Sequence, residues 1–302
     1  MYASWEIISY CNLACSHCYA TYQDANLGTQ PKRLATEKIR LGLKNLSSVG
    51  VDQINLEGGE PTLIVDDLVE LVKYSTDCGM NTIISTHGMF LLKNGLVGRL
   101  IDAGLNTISL SLDGSSADVN NAIRVQHSGS PSDQFEKVIE FIAWYTERCV
   151  AGVASVKLKI NAVVRRDNLL NLREIWKLLE AIPASAPVQL KLVQVQPRGC
   201  GRLQYDKLSV TSTEFHELVD HVKANCKFPV AFRDYTGGEY PFIVVSYNGD
   251  MVIPSGENHE KVCVDGEKLN VLCQDFSEKF GRFVENRPDF MNANSKINTY
   301  RQ

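Results

Sequence analysis

Three cysteines within eight positions, Cys11, Cys15 and Cys18, are the residues of this chain best suited to do chemistry. Their spacing, C-x3-C-x2-C, draws three thiolates from one short loop. Three thiolates can hold three irons of a cubane and leave the fourth iron open to a ligand. A zinc loop and three plain buried thiols are the competing readings of the spacing. Zinc wants a fourth protein donor at short range. His17 is near, but it lies between two of the cysteines, where joint ligation is strained. The other six cysteines (Cys78, Cys149, Cys200, Cys226, Cys263 and Cys273) are scattered. An odd total of nine at irregular spacing does not describe a disulfide framework.

A loop needs elements to hold it. The chain has 302 residues, 44% hydrophobic and 22% charged, which suits one large globular domain or two small ones. A net charge of −4 excludes nucleic acid as the main partner, since a phosphate-tracking surface needs a basic excess. No secretory h-region and no bilayer-length apolar run is present, so a cytoplasmic location without a membrane partner is expected.

The first two-thirds alternate short apolar strands with amphipathic helices. Strands are expected at about Trp5–Ser9, Gln53–Glu57, Thr82–Thr86, Thr107–Asp113, Val156–Val164 and Gln189–Val195. Helices are expected at about Thr36–Ser48, Asp66–Cys78, Lys93–Ala103, Gln134–Cys149 and Asn168–Ala181. Gly50, Gly79 and Gly104 stand where helix C-caps belong. Six βα units predict a parallel sheet. Strand residues alternate between faces. Ile108, Leu110 and Leu112 oppose Ser109, Ser111 and Asp113, and Leu158 and Ile160 oppose Lys157, Lys159 and Asn161. A closed barrel fills its interior with branched apolar residues. A polar inner face instead predicts an α/β fold built as an open, partial (β/α)6 TIM-like barrel over residues 1–200. After Pro197 the alternation stops. Residues 201–302 show one helix, about Thr213–Cys226, and a hairpin of Phe242–Val245 and Met251–Ile253 through Asn248-Gly249-Asp250. They are expected to form a C-terminal α+β cap and substrate region, with a polar, poorly ordered tail over Asn286–Gln302.

The triad follows directly on the first strand, at the end where a barrel places its active site. The segment Cys11-Asn12-Leu13-Ala14-Cys15-Ser16-His17-Cys18-Tyr19 resembles the C-x3-C-x-aromatic-C signature of the radical S-adenosylmethionine (SAM) superfamily, with His17 in the aromatic position. Gly58-Gly59-Glu60-Pro61 after the second strand and Ser109-Leu110-Ser111-Leu112-Asp113-Gly114 on the fourth are similar to further motifs of that family. The resemblance covers about residues 4–200. It implies a [4Fe–4S] cluster on Cys11, Cys15 and Cys18. It also implies SAM bound through Gly58, Gly59, Glu60 and Pro61 at its amino group, with Ser85 beside it. Ser109, Ser111, Asp113 and Arg124 would meet its ribose and carboxylate, Asn161 and Val195 its adenosine, and His17 would stack on adenine. The implied reaction is one-electron cleavage of SAM to a 5′-deoxyadenosyl radical that abstracts a substrate hydrogen, with an electron donor such as flavodoxin or ferredoxin.

Two substrates compete. The chain resembles the SPASM/twitch subgroup that modifies ribosomally made peptides, although Ser255 stands where a cysteine is usual and the auxiliary-cluster motif is missing. That reading expects a peptide or natural-product precursor. The alternative is a viperin-like nucleotide dehydratase, with Lys159 and Lys191 facing the lumen toward a triphosphate. Pairing of those lysines with Glu6 or Glu57 is the plainer alternative. Cys200 and Cys263 are candidate hydrogen-atom donors, and otherwise small buried hydrophobes. An electron-transfer or sensing iron–sulfur protein is the non-enzyme reading.

Overall fold

The computed structural model describes residues 1–20, 32–235, 242–255, 258–287, 290 and 293. The six expected strands form: β1 (Tyr2–Ile8), β2 (Gln53–Gly58), β3 (Asn81–Thr86), β4 (Thr107–Ser111), β5 (Lys157–Val164) and β6 (Val188–Gln194). They pair in parallel in chain order, and the sheet does not close on itself. The crossovers carry α1 (Thr36–Ser48), α2 (Val65–Asp77), α3 (Leu96–Asp102), α4 (Ala117–Ile123) and α5 (Gln134–Val150). The crossover from β5 to β6 is a 3-10 helix, Asn171–Leu179, where an α-helix is expected. The Asn171 carbonyl accepts from the Ser115 hydroxyl at 2.8 Å, a bond that competes with the first α-helical turn. The helix α4 was not foreseen. It is short, and three of its seven residues, Asp118, Asn120 and Asn121, are polar.

Periodicity explains the packing. In α1, Ile39, Leu43 and Leu46 recur on one face and are buried on the sheet. In α5, Val138, Phe141, Ile142 and Tyr145 do the same, and the Tyr145 hydroxyl donates to the Val156 carbonyl at 2.9 Å. Each such burial contributes about 1.5–3 kcal/mol. Along β5, Leu158, Ile160, Ala162 and Val164 are buried, while Lys157, Lys159, Asn161 and Val163 turn to the lumen. Gly50, Gly79 and Gly104 take φ of 88°, 80° and 96°, as helix-ending residues do.

Beyond Pro197 the chain adds α6 (Cys200–Leu203), α7 (Tyr205–Leu208), α8 (Ser212–Asn225), β7 (Val230–Arg233), β8 (Ile243–Val245), β9 (Met251–Ser255), β10 (Asn258–Lys261), the ribbon β11 (Cys263–Val264) with β12 (Glu267–Lys268), and α9 (Phe276–Glu285). The mix is α+β, and it enters the sheet as well as flanking it. β7 pairs in parallel with β6, and β8 pairs in parallel with β1. The ten-stranded order is β10-β9-β8-β1-β2-β3-β4-β5-β6-β7. Both exposed edges of the six-stranded core are thereby covered. The gap between them is bridged by side chains: the Arg233 guanidinium lies 5.4 Å from the centre of the Phe242 ring, which meets Tyr2 edge-on. The tail beyond Arg287 falls almost wholly outside the described residues, as does Ser255 at the level of its side chain. Among the described residues no helix is long and apolar enough to cross a membrane.

Candidate functional site

The sheet encloses a cavity of about 430 Å³. Its upper end, at the C-terminal ends of the strands, is lined by Cys11, Cys15, His17, Cys18, Gly58, Gly59, Glu60 and Arg124. Its lower end is lined by Gln53, Asn81, Asn106, Lys157 and Phe242.

The triad loop is held by its backbone. The Gly59 amide donates to Ile8 O at 2.7 Å and the Glu60 amide to Tyr10 O at 2.8 Å. The Ala14 amide donates to Val125 O at 2.8 Å, and the Cys200 amide to Cys18 O at 2.8 Å. Loops after β2, α4 and β6 thus each grip it. The β2 loop comes so close that only glycine fits. A Cβ on Gly59 would stand 1.8 Å from Tyr10 O, and one on Gly58, at φ 141°, 2.3 Å from Ile8 O. The closest approach these glycines permit is to the cysteine loop itself.

Glu60 completes the joint. One carboxylate oxygen accepts from the Thr62 amide at 3.0 Å and from the Thr86 hydroxyl at 2.6 Å; the other accepts from the His87 amide at 2.9 Å. Its buried charge is spent on holding the loops after β2 and β3 together. His87 Nδ1 accepts from the Met89 amide, and Nε2 meets Asn12 Oδ1 at 2.8 Å, which ties the triad loop to β3.

Burial pushes the Cys11 and Cys15 thiols up, and that of Cys18 up to about 12; neighbouring acids and thiols add to the effect at Cys11 and Cys18, while Arg124 opposes it at Cys15. Such a cluster of thiols carries its negative charge only beside a cation. The Leu13 amide donates to Cys11 Sγ at 3.3 Å, the kind of bond that supports a ligating sulfur. Burial is also the main cause holding His17 down to about 4, so its ring is neutral.

Asp113 is fully buried behind the cavity wall, while Ser109 and Ser111 line it. β4 ends at Ser111, so the strand alternation does not extend to Asp113. One oxygen of Asp113 accepts from the Val163 amide at 2.8 Å; the other lies 2.8 Å from Arg124 Nη2. Arg124 Nε is buried with no hydrogen-bond partner. An orphaned guanidinium donor at the wall of a cavity fits a ligand carboxylate. The donor set of three thiols, one orphaned arginine and a polar wall fits an iron–sulfur cluster with an amino-acid sulfonium.

Lower in the lumen, Ser85 donates to Asn55 Oδ1, and Asn55 donates to Ser4 Oγ and to Glu57 Oε2. The Tyr19 hydroxyl reaches the same Glu57 oxygen at 3.2 Å, and that carboxylate raises the Tyr19 pKa. Asn161 Nδ2 donates to Ser109 Oγ. Lys159 and Lys191 line the lumen with Lys157, whose pKa burial lowers. Basic side chains outnumber acidic ones on the wall: Lys157, Lys159, Lys191, Arg124, Arg198 and Arg233 against Glu6, Glu57 and Glu60.

Some expected residues stand elsewhere. Pro61 and Val195 are buried off the cavity wall, Val195 just past the end of β6. Cys200 abuts Cys18 through its amide but does not line the cavity. Cys263 is exposed on the β11 ribbon, away from the cavity lining. Three wall or near-wall arginines escaped sequence reasoning. Arg165 directly follows β5, at the strand end where sites gather, and that position was the available signal. Arg198 lies in the Gln-Pro-Arg-Gly turn after β6, and Arg233 lies on β7, a strand too short to read.

Residues 5–156 match the family described as the radical SAM superfamily. Among curated proteins, the chain is 30% identical over 236 residues to an AdoMet-dependent heme synthase of Oleidesulfovibrio alaskensis, covering 74% of this chain and 55% of that one. It is 28% identical to mycofactocin maturase MftC of Mycolicibacterium smegmatis, over 73% and 51% of the two chains. It is 31% identical to an S-adenosylmethionine-dependent nucleotide dehydratase of Flammeovirga pacifica, over 71% and 70%. The chain thus spans about half the length of the first two relatives. A solved structure described as native anSMEcpe with bound AdoMet shares the fold at a TM-score of 0.64 and 16% identity, over 93% of this chain and 81% of that one.

Proposed function

Because the chain belongs to the radical SAM superfamily, whose cofactors are a [4Fe–4S] cluster and SAM, we propose that it is an enzyme acting on an anionic small molecule, foremost a nucleoside triphosphate, held in the lumen below those cofactors. The basic excess on the cavity wall is the observation that carries this reading. Cys11, Cys15 and Cys18 are the cluster ligands. When bound, the pair supplies reductive cleavage of a sulfonium, with an external one-electron donor such as flavodoxin or ferredoxin, and so removes a hydrogen atom from the substrate.

The chain's own residues bind, orient and exclude water. Arg124, braced by Asp113, offers its orphaned Nε to the SAM carboxylate. Gly58 and Gly59 bring their backbone against the triad loop and so to the amino group, while the saturated Glu60 keeps that loop in place. Ser109 and Asn161 meet the ribose, with Val163 and Val193 as the apolar wall beside them. The Gly199–Cys200 turn, seated on Cys18 O, closes the loop from solvent. Lys159 and Lys191, on the cavity wall, draw phosphate oxygens into the lumen.

A peptide or natural-product precursor is the second reading, supported by the likeness to the mycofactocin maturase. The deciding experiment reconstitutes the protein anaerobically, counts iron, and measures 5′-deoxyadenosine with each of the common nucleoside triphosphates. About four irons per chain with strong stimulation by one triphosphate is expected. No stimulation by any of them returns the second reading to first place.

A further inference from the structure

His17 stands between the second and third triad cysteines, and each of its ring nitrogens faces a partner. Arg165 Nη1 lies 3.1 Å from Nδ1. A guanidinium can only donate, so Nδ1 is the acceptor and the ring proton sits on Nε2. Nε2 is turned to Asp113 Oδ2 at 3.3 Å. Arg165 is itself fixed. Its Nε and Nη2 fork onto the Asp167 carboxylate at 2.9 and 2.6 Å, and Nη1 also reaches Ser16 Oγ at 3.1 Å. Asp113 in turn holds Arg124 at 2.8 Å. The result is one chain of contacts, Asp167–Arg165–His17–Asp113–Arg124, buried from Arg165 onward and running from the end of β5 through the cysteine loop to the arginine assigned to the SAM carboxylate.

We propose that His17 and Arg165 are positioning residues that lock the triad loop and the Asp113–Arg124 pair into a single frame. The inference rests on the role given to Arg124 above. It is a role beside the expected stacking of His17 and independent of it: Arg165 holds one edge of the ring and Asp113 lies beside the other, while the side chain lines the cavity. A phenyl ring at this place fills the space but has no acceptor for Arg165 and no polar edge for Asp113. Arg165 and Asp113 then each face an apolar ring edge, and the aim of Arg124, which Asp113 holds, drifts.

Three variants test this, each reconstituted anaerobically beside wild type: His17→Phe, His17→Gln and Arg165→Gln. The readouts are iron content, thermal melting of the protein, SAM affinity by equilibrium dialysis, and the change in the reduced cluster's EPR signal when SAM is added. The expected outcome is near-normal iron in all three. SAM affinity falls about tenfold or more in His17→Phe and Arg165→Gln, with a muted EPR change, because a hydrogen bond to a charged group is lost in each. His17→Gln, which keeps one donor and one acceptor, binds SAM far better than His17→Phe. The reverse order, Phe tight and Gln weak, overturns the proposal and assigns an aromatic platform. If His17→Phe fails to load iron or to fold, Arg165→Gln decides, since it lies outside the cysteine loop, and wild-type affinity in that variant overturns the proposal. Wild type that loads iron yet does not bind SAM overturns the reading of Arg124 and this inference with it.

Discussion

The two ends of the lumen are built in different ways. At the upper end, backbone packs on backbone: Gly58 and Gly59 lie against Ile8 and Tyr10, Cys200 against Cys18, and the Glu60 carboxylate is filled by chain donors. At the lower end, polar side chains project from alternate strand positions and bond to one another, as Asn55 does with Ser4, Ser85 and Glu57. The first construction tolerates one residue type per position. The second needs only correct strand register. On the proposed assignment, cofactor geometry sits in the rigid part, and substrate choice in the part that single substitutions can retune.

The sharpest break of the upper end is Cys15→Ala. Iron should fall to background and 5′-deoxyadenosine should vanish, measured after anaerobic reconstitution. Gly59→Ala comes next. The added methyl meets Tyr10 O at 1.8 Å, a backbone clash that costs about 3 kcal/mol or more. Poor cluster retention and a lower melting temperature are expected, and wild-type values for both would show the joint to be looser than drawn. On the side-chain wall of the lumen the same experiment should behave differently. Lys191→Ala should keep iron content and melting temperature while raising the KM for an anionic substrate about tenfold, as loss of one charge-assisted bond does. An unchanged KM would remove Lys191 from the substrate site.

This contrast also explains what the sequence made legible. Backbone contact forces glycine and fixed cysteine spacing, so the upper end leaves short, dense motifs. The six strands were readable because Ile108, Leu110 and Leu158, Ile160 alternate cleanly against polar neighbours. Asp113 was misdirected because β4 stops at Ser111, and a strand's alternation carries no information past its end. Gln134 was invisible for another reason. Gln134 bonds both His87 O and Ser111 O, at 2.6 and 2.8 Å, and accepts from Asn120, joining β3, β4 and α4. Nothing in a lone glutamine at a helix start announces that. β7 was lost because a strand of four residues holds too little pattern to count, whereas β8 and β9 form the hairpin expected through Asn248-Gly249-Asp250, whose turn residues carry the signal.

The smallest expected effect lies outside the lumen, where Arg166, next to Arg165, forks onto Glu214 in the first turn of α8. Glu214 closes a capping box with Thr211. The Arg166 bond is the leading cause that lowers its pKa to about 2, with the Thr211 bonds behind it. A carboxylate depressed in the folded state stabilises only while it is ionised there. Its contribution is complete above the unfolded value near 4.5 and fades as pH falls toward 2. Glu214→Gln should therefore lower the melting temperature slightly at pH 7, and the gap to wild type should close between pH 4.5 and 2. The exposed pair is screened, so added salt should narrow the gap as well. Iron content and SAM affinity should not move. If they did, α8 would be coupled through Arg166 to the Arg165–His17 chain, and the division between a rigid cofactor end and its surroundings would have to be drawn one helix further out.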